Sequence, residues 1–210
     1  MTLSTIDPTV ALVVIDLQHA ITRLPAVHDV DQVIAKAAQL ADAFRERGLP
    51  VVLVQAAGRA PGRTEAGLAM AAQAAKAAAE GAPAAPSPLA NPELMALVPE
   101  IDGEGIRITK RTWGAFQNTD LHEQLQARGV TQVVVVGIAT SKGVESTARA
   151  AWEHGYHVTI ATDAMTDSSL AAHDNSVGLV FPSIGETGTV AEVIALLPAT
   201  AAGAQAAAGA

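Results

Sequence analysis

Runs of apolar, largely β-branched residues recur along the chain. Between them lie stretches in which apolar positions return every three or four residues. The runs VALVVIDL (10–17), LPVVLVQAA (49–57), GIRITK (105–110), VTQVVVVGIA (130–139) and YHVTIATDA (156–164) read as five strands. VALVVIDL is continuously apolar rather than alternating, the pattern of a strand covered on both faces. Val30, Val33, Ala37, Leu40 and Phe44 share one face of a helix over 29–48, and Gly48 supplies its stop. Further helices are expected over 119–129, 143–155 and 188–197. Strand–helix alternation with short connections predicts a three-layer α/β protein, a mostly parallel central sheet covered by helices on both faces.

Two segments fall outside this alternation. Residues 56–92 join an alanine-rich helical patch to a Pro/Ala linker, a long insertion expected to act as a lid or subunit contact rather than as core. The tail ATAAGAQAAAGA (199–210) has neither periodicity nor bulky apolar groups and is expected to be disordered. The remainder, 1–198, reads as one domain.

Charge and composition narrow the partners. Lys and Arg number 13 against 21 Asp and Glu, a formal net charge of −8. Such a surface repels phosphate backbones, so nucleic acid and anionic membranes are not expected partners. The chain has no cysteine, which removes disulfides, thiolate metal sites and thiol nucleophiles together. The first apolar run is too short to span a bilayer and has no basic segment before it, so a cytoplasmic protein is expected.

In parallel α/β sheets ligands bind outside the carboxyl ends of the strands. Those ends bring Asp16, Gln55, Lys110, the segment 137–143 and Asp163 into consideration. Asp16 and Lys110 together would form an acid/base pair, although an Asp in such a place also caps turns and a Lys there is commonly a solvated strand end. Backbone N–H groups in 137–143 are placed to hold an oxyanion or a carboxylate; an ordinary βα loop with Ser141 as helix N-cap fits the same residues. Glu145 and Arg149, four apart, are expected to pair.

The blocks ALVVIDLQ, KRTWGAFQNTDL, VVVVGIATSKGVESTARAAWEHGY and ATDAMTDSSLAAHDNSV occur in that order. In order and spacing they resemble the isochorismatase-like (cysteine hydrolase) superfamily, over most of residues 8–197. The resemblance implies a Rossmann-like sheet, an Asp-Lys-Cys triad and an oxyanion hole shaped by a non-proline cis peptide. Position by position, Asp16 matches the Asp and Lys110 the Lys, the cis bond falls at Ile138–Ala139, and the Cys position is Gly143. It also implies a small-molecule substrate and a homodimer or larger homo-oligomer.

Gly143 removes the thiolate that attacks the carbonyl in the family's amidases. Isochorismatases proper also carry glycine there, and their vinyl-ether substrate needs a proton on the enol carbon rather than a nucleophile. The resemblance therefore implies hydrolysis of a small anionic substrate, with Asp16 as acid and with Lys110 and backbone donors binding carboxylates. The alternative is a catalytically inactive scaffold that binds a small molecule or assembles. Two features depart from the isochorismatase pattern: after the Lys the chain reads RTWGAF rather than Arg-Tyr-Ser-Ala-Phe, and the carboxylate-binding residues after the second strand match only loosely, at Gln55 and at Arg59 or Arg63. The segment VQAAGRAPGR also lacks the Asp-x-His metal site of nicotinamidases. No metal and no cofactor are expected. Gln55, Trp113, Phe116, Ile138, Ala139 and Thr140 are the expected substrate contacts, Arg59 and Arg63 read either as carboxylate contacts or as solvated loop charges, and Asp163 and His173 are assigned to structural hydrogen bonds.

Overall fold

The computed structural model describes residues 3–58, 62–81 and 91–199. Six strands form one all-parallel sheet in the order β3-β2-β1-β4-β5-β6. They are β1 Val10–Ile15, β2 Val51–Ala56, β3 Ile106–Lys110, β4 Gln132–Ile138, β5 His157–Thr166 and β6 Glu186–Gly188. The helices of more than one turn are α2 Val30–Glu46, α3 Glu65–Ala79, α5 Leu121–Gln126, α6 Glu145–Glu153, α7 Leu170–Asn175 and α9 Val190–Leu196. Short helices α1 His19–Thr22, α4 Pro92–Met95 and α8 Phe181–Ile184 lie in the connections.

Period-two alternation divides each central strand between two cores. Val10, Leu12 and Val14 join Val33, Ala37, Leu40 and Phe44 of α2 on one face, while Ala11, Val13 and Ile15 join Leu121, Leu125, Ala148 and Phe181 on the other. Helices therefore cover both faces, and the expected three-layer α/β architecture is the one observed. The helix expected over 29–48 is α2, with Asp29 accepting from the N–H groups of Asp31 and Gln32 at its start. Gly48 follows its end in the left-handed region at φ 67°.

Two expectations need correction. The sheet has a sixth strand, β6, whose three residues Glu-Thr-Gly carry no apolar run to announce it. Its neighbour α9 begins at Val190 rather than 188, behind a reciprocal cap between Thr189 and Glu192. Residues 168–185, for which no element was expected, fold as α7, a π-helical stretch Ser176–Val180 and α8. Gly178, Pro182 and β-branched Val177 and Val180 obscure helical periodicity there. Within the insertion, α3 forms behind an N-cap at Thr64 and buries none of its residues. Residues 59–61, Arg59 among them, 82–90 and the tail from 200 lie outside the described residues. No helix among the described residues is long and apolar enough to cross a membrane.

The strand order reverses between β1 and β4: β2 and β3 build outward from one side of β1, β5 and β6 from beyond β4. At that junction Gly137 sits at φ 118°, and a Cβ there would run into the backbone of Ile15. The β4–β5 register shifts at the same point. Gly137→Ala is expected to cost about 3 kcal/mol or more, because neither the close approach nor the dihedral accepts a side chain. Urea denaturation measures it; an unchanged midpoint would show that the two strands separate freely here.

Candidate active site

Asp16 leaves β1 at φ 54°, a left-handed conformation that Asp tolerates better than most residues and that clusters at functional positions. Its side chain is 8% exposed and that of Lys110 2%. Lys110 ends the edge strand β3, two strands and about 10 Å from β1. Only a long side chain spans that gap, and the Lys110 Nζ reaches Asp16 Oδ2 at 2.7 Å. The same ammonium donates to the carbonyls of Trp113 at 2.6 Å and Thr112 at 3.3 Å.

Burial pushes the Asp16 carboxyl up to about 6, against the pull of the Lys110 charge. Asp16 Oδ2 carries the ion pair, while Oδ1 is buried with no hydrogen-bond partner among the described residues. The candidate catalytic pair is thus one closed salt bridge with one open carboxyl oxygen.

Past β4 the chain passes a cis peptide at Ile138–Ala139 and enters a π-helical turn, Thr140–Val144, that runs into α6. A Cβ on Gly143 would lie 2.8 Å from Ile15 Cγ2, 3.3 Å from Asp16 Oδ2 and 3.4 Å from Lys110 Nζ. The position matching the family's Cys therefore points at the pair, and glycine leaves that space open. Asp167 fixes the turn from outside: its Oδ2 accepts from the Ser141 N–H at 2.7 Å and the Ser141 hydroxyl at 2.8 Å. These bonds and those from Ser168 and Ser169 hold its carboxyl below the usual range despite burial. Ser141 is thus held by Asp167 rather than acting as a helix cap.

A cavity of about 200 Å³ opens beside the pair. Of the residues singled out from the sequence, Asp16, Lys110, Gly143, Trp113, Ile138 and Ala139 line it. Trp113 stands at its rim, 59% exposed. Three expected contacts are elsewhere. Gln55 turns to the Met95 carbonyl at 3.0 Å, a backbone acceptor supplied by α4. Phe116 packs against the rings of His154 and Tyr156 in the α5–α6 core. Thr140 is fully buried and shares a hydrogen bond with His173 Nδ1 at 2.9 Å, which gives His173 a structural place. Asp163 is structural as well, accepting from the Val190 N–H and pairing with Lys36. Glu145 and Arg149 pair at 2.9 Å.

The lining also includes residues that the sequence did not assign to the site: Ile21, Leu24, Pro25, Val30, Lys142 and Asp167. Lys142 was legible, since it adjoins Gly143, but the turn was read for its backbone alone. Asp167 precedes two serines and looks like an ordinary helix-start signal. Among the described residues no group of three or more His, Asp or Glu is placed to hold a metal.

A parallel sheet with a buried Asp–Lys pair and a cis-peptide turn at its switch point defines an α/β protein with a ligand crevice at the carboxyl ends of its strands. The family model described as Isochorismatase domain matches residues 10–192. The chain belongs to the isochorismatase family. The uncharacterized isochorismatase family protein YecD of Escherichia coli O157:H7 is 41% identical over 193 residues, 89% of this chain and 95% of that protein. The uncharacterized family protein YwoC of Bacillus subtilis is 37% identical over 187 residues, 88% of this chain and 92% of its own. Among solved structures, an isochorismatase family protein from Burkholderia thailandensis superposes with a TM-score of 0.78 at 39% identity, covering 92% of this chain and 97% of its own.

Lys110→Met leaves the Asp16 carboxyl buried without its counter-charge. The folded carboxyl titrates at about 6 against an ordinary value of 3.8, so the folded state takes up the proton first as pH falls. Stability from this group therefore falls as pH rises between those values, and losing Lys110 extends that fall upward. Urea denaturation of Lys110→Met is expected to show a loss of about 3 kcal/mol at pH 8 and a smaller one at pH 5. Equal losses at both values would rule out the Asp16 charge as the source.

Proposed function

We propose that this protein hydrolyses a small anionic enol ether by non-covalent acid/base chemistry, with Asp16 carrying the proton. The observation behind this reading is the divided carboxyl of Asp16: Oδ2 is bound to Lys110, and Oδ1 is buried and unpartnered. A carboxyl titrating near 6 is protonated in roughly one molecule in ten at pH 7 and transfers that proton readily. The absence of cysteine and the glycine at position 143 support a route without a covalent intermediate.

The proton passes from Asp16 to the terminal carbon of the enol ether, whose double-bond electron pair forms the new C–H bond. The positive charge left on the ether-bearing carbon is shared with the ether oxygen, and the Asp16 carboxylate now stands beside it. Water attacks that carbon and returns a proton to Asp16. The hemiketal then breaks its bond to the ether oxygen; its hydroxyl proton leaves with the alcohol and a keto group remains. One water is consumed and Asp16 is regenerated. Lys110 holds the carboxyl in place and keeps its pKa from rising further, while Gly143 leaves room for the reacting carbon. Trp113, Ile138 and Ala139 bound the substrate.

A panel of enol ethers, amides and lactams tests this with wild type and Asp16→Ala in parallel. Enol ethers are expected to turn over, and Asp16→Ala to lose at least about a thousandfold in kcat/KM while remaining folded at the assay temperature by circular dichroism. Because the active form is protonated, kcat/KM is expected to fall tenfold per pH unit above about 6. A rate that rises through that range would make Asp16 a base and overturn the assignment. Tight binding with no turnover of any class would instead support the inactive scaffold.

A further inference from the structure

We propose that Lys142 anchors the substrate's carboxylate and that the cavity accepts a monocarboxylate; this rests on the enol-ether reading and adds to it the charge of the substrate. An ammonium has three N–H donors. Those of Lys110 face Asp16 Oδ2, the Trp113 carbonyl and the Thr112 carbonyl, so no donor is left for a ligand. Lys110 is thereby unsuited to the role that family resemblance gave it. Lys142 is the only other cation among the cavity's described lining residues. Its side chain makes no hydrogen bond or ion pair among the described residues, and it is exposed at the rim. Its backbone is held by a bond from its N–H to the Ala139 carbonyl at 3.1 Å, so the flexible stem springs from a fixed point one residue before Gly143.

Counting charge limits the ligand further. Asp16 and Lys110 neutralise each other. Asp167, held ionised by its serine donors, faces the same space as Lys142. One ligand carboxylate has a cation to meet, whereas a second would confront Asp167 with no counter-charge. The rest of the described wall is mainly apolar, with Ile21, Leu24, Pro25 and Val30 suited to an uncharged body.

Three probes on one skeleton separate these contributions: the monoanion 2-methoxyacrylate, its neutral amide, and the dianion 2-(carboxymethoxy)acrylate. Calorimetry on the Asp16→Asn, Lys110→Met double variant, which keeps the net charge of the pair at zero, reads binding without consuming the probe. With Lys142 present, the monoanion is expected to bind about tenfold tighter than the amide, the size of one charge-assisted contact at a partly open site. Lys142→Met should erase that preference, Lys142→Arg restore it, and the amide bind equally to all three. The dianion should bind no tighter than the monoanion. A preference that survives Lys142→Met, a tighter dianion, or no binding of the monoanion would each overturn the proposal. Methanol release from 2-methoxyacrylate by protein with Asp16 intact tells the two readings apart. A Lys142-dependent preference without methanol release refutes the acid/base reading alone. Release that is indifferent to Lys142 refutes the anchor alone.

Discussion

Where β4 leaves the sheet, the backbone of Gly137 lies against that of Ile15, closer than any other residue type allows. This contact holds together the two strand ends that carry the chemistry. Asp16 is the next residue on one side, and the turn through Ala139 to Gly143 follows on the other. Were the strands spread by even a methyl group, a side chain direction at 143 would no longer meet the Asp16 carboxylate and the Lys110 ammonium together. The switch in strand order makes a crevice at this junction, and the glycine sets its width.

The electrostatics follow from that geometry. Burying a carboxylate and an ammonium at the end of a sheet costs more than their attraction returns unless each is well hydrogen-bonded. Lys110 meets the requirement fully and Asp16 only by half. The imbalance is chemically useful: a fully satisfied carboxylate would hold its charge like Asp167, while a half-satisfied one is poised to accept a proton near neutrality. Two carboxyls in one cavity are thus driven apart in acidity, Asp16 upward by burial and Asp167 downward by the donors around it.

The sheet was legible because its central strands are buried on both faces and contain little but Val, Ile, Leu and Ala. Asp16 and Lys110 were legible because a polar residue ending such a run breaks the pattern. Beyond those runs the signal weakened for physical reasons. β6 forms from Glu-Thr-Gly by pairing with β5, a tertiary effect with no local signature. Gln55 follows a strand as Asp16 does, but α4 offers it the Met95 carbonyl and turns it from the cavity. Phe116 stands near Lys110 in sequence, but its ring packs against His154 and Tyr156 in the core rather than lining the cavity. Asp167 and Thr140 owe their roles to partners 26 and 33 residues away, a separation no spacing rule addresses.

Lys110 reaches the site from an edge strand that is hydrogen-bonded on one side only. Edge strands exchange their amide hydrogens through local openings that leave the rest of a domain folded. Each such opening of β3 withdraws the ammonium and admits water to Asp16. The acidity of the carboxyl is therefore an average over closed and frayed states, weighted by the local stability of a five-residue strand. Substitutions on the solvent side of β3, far from any ligand, reach the proton through that equilibrium.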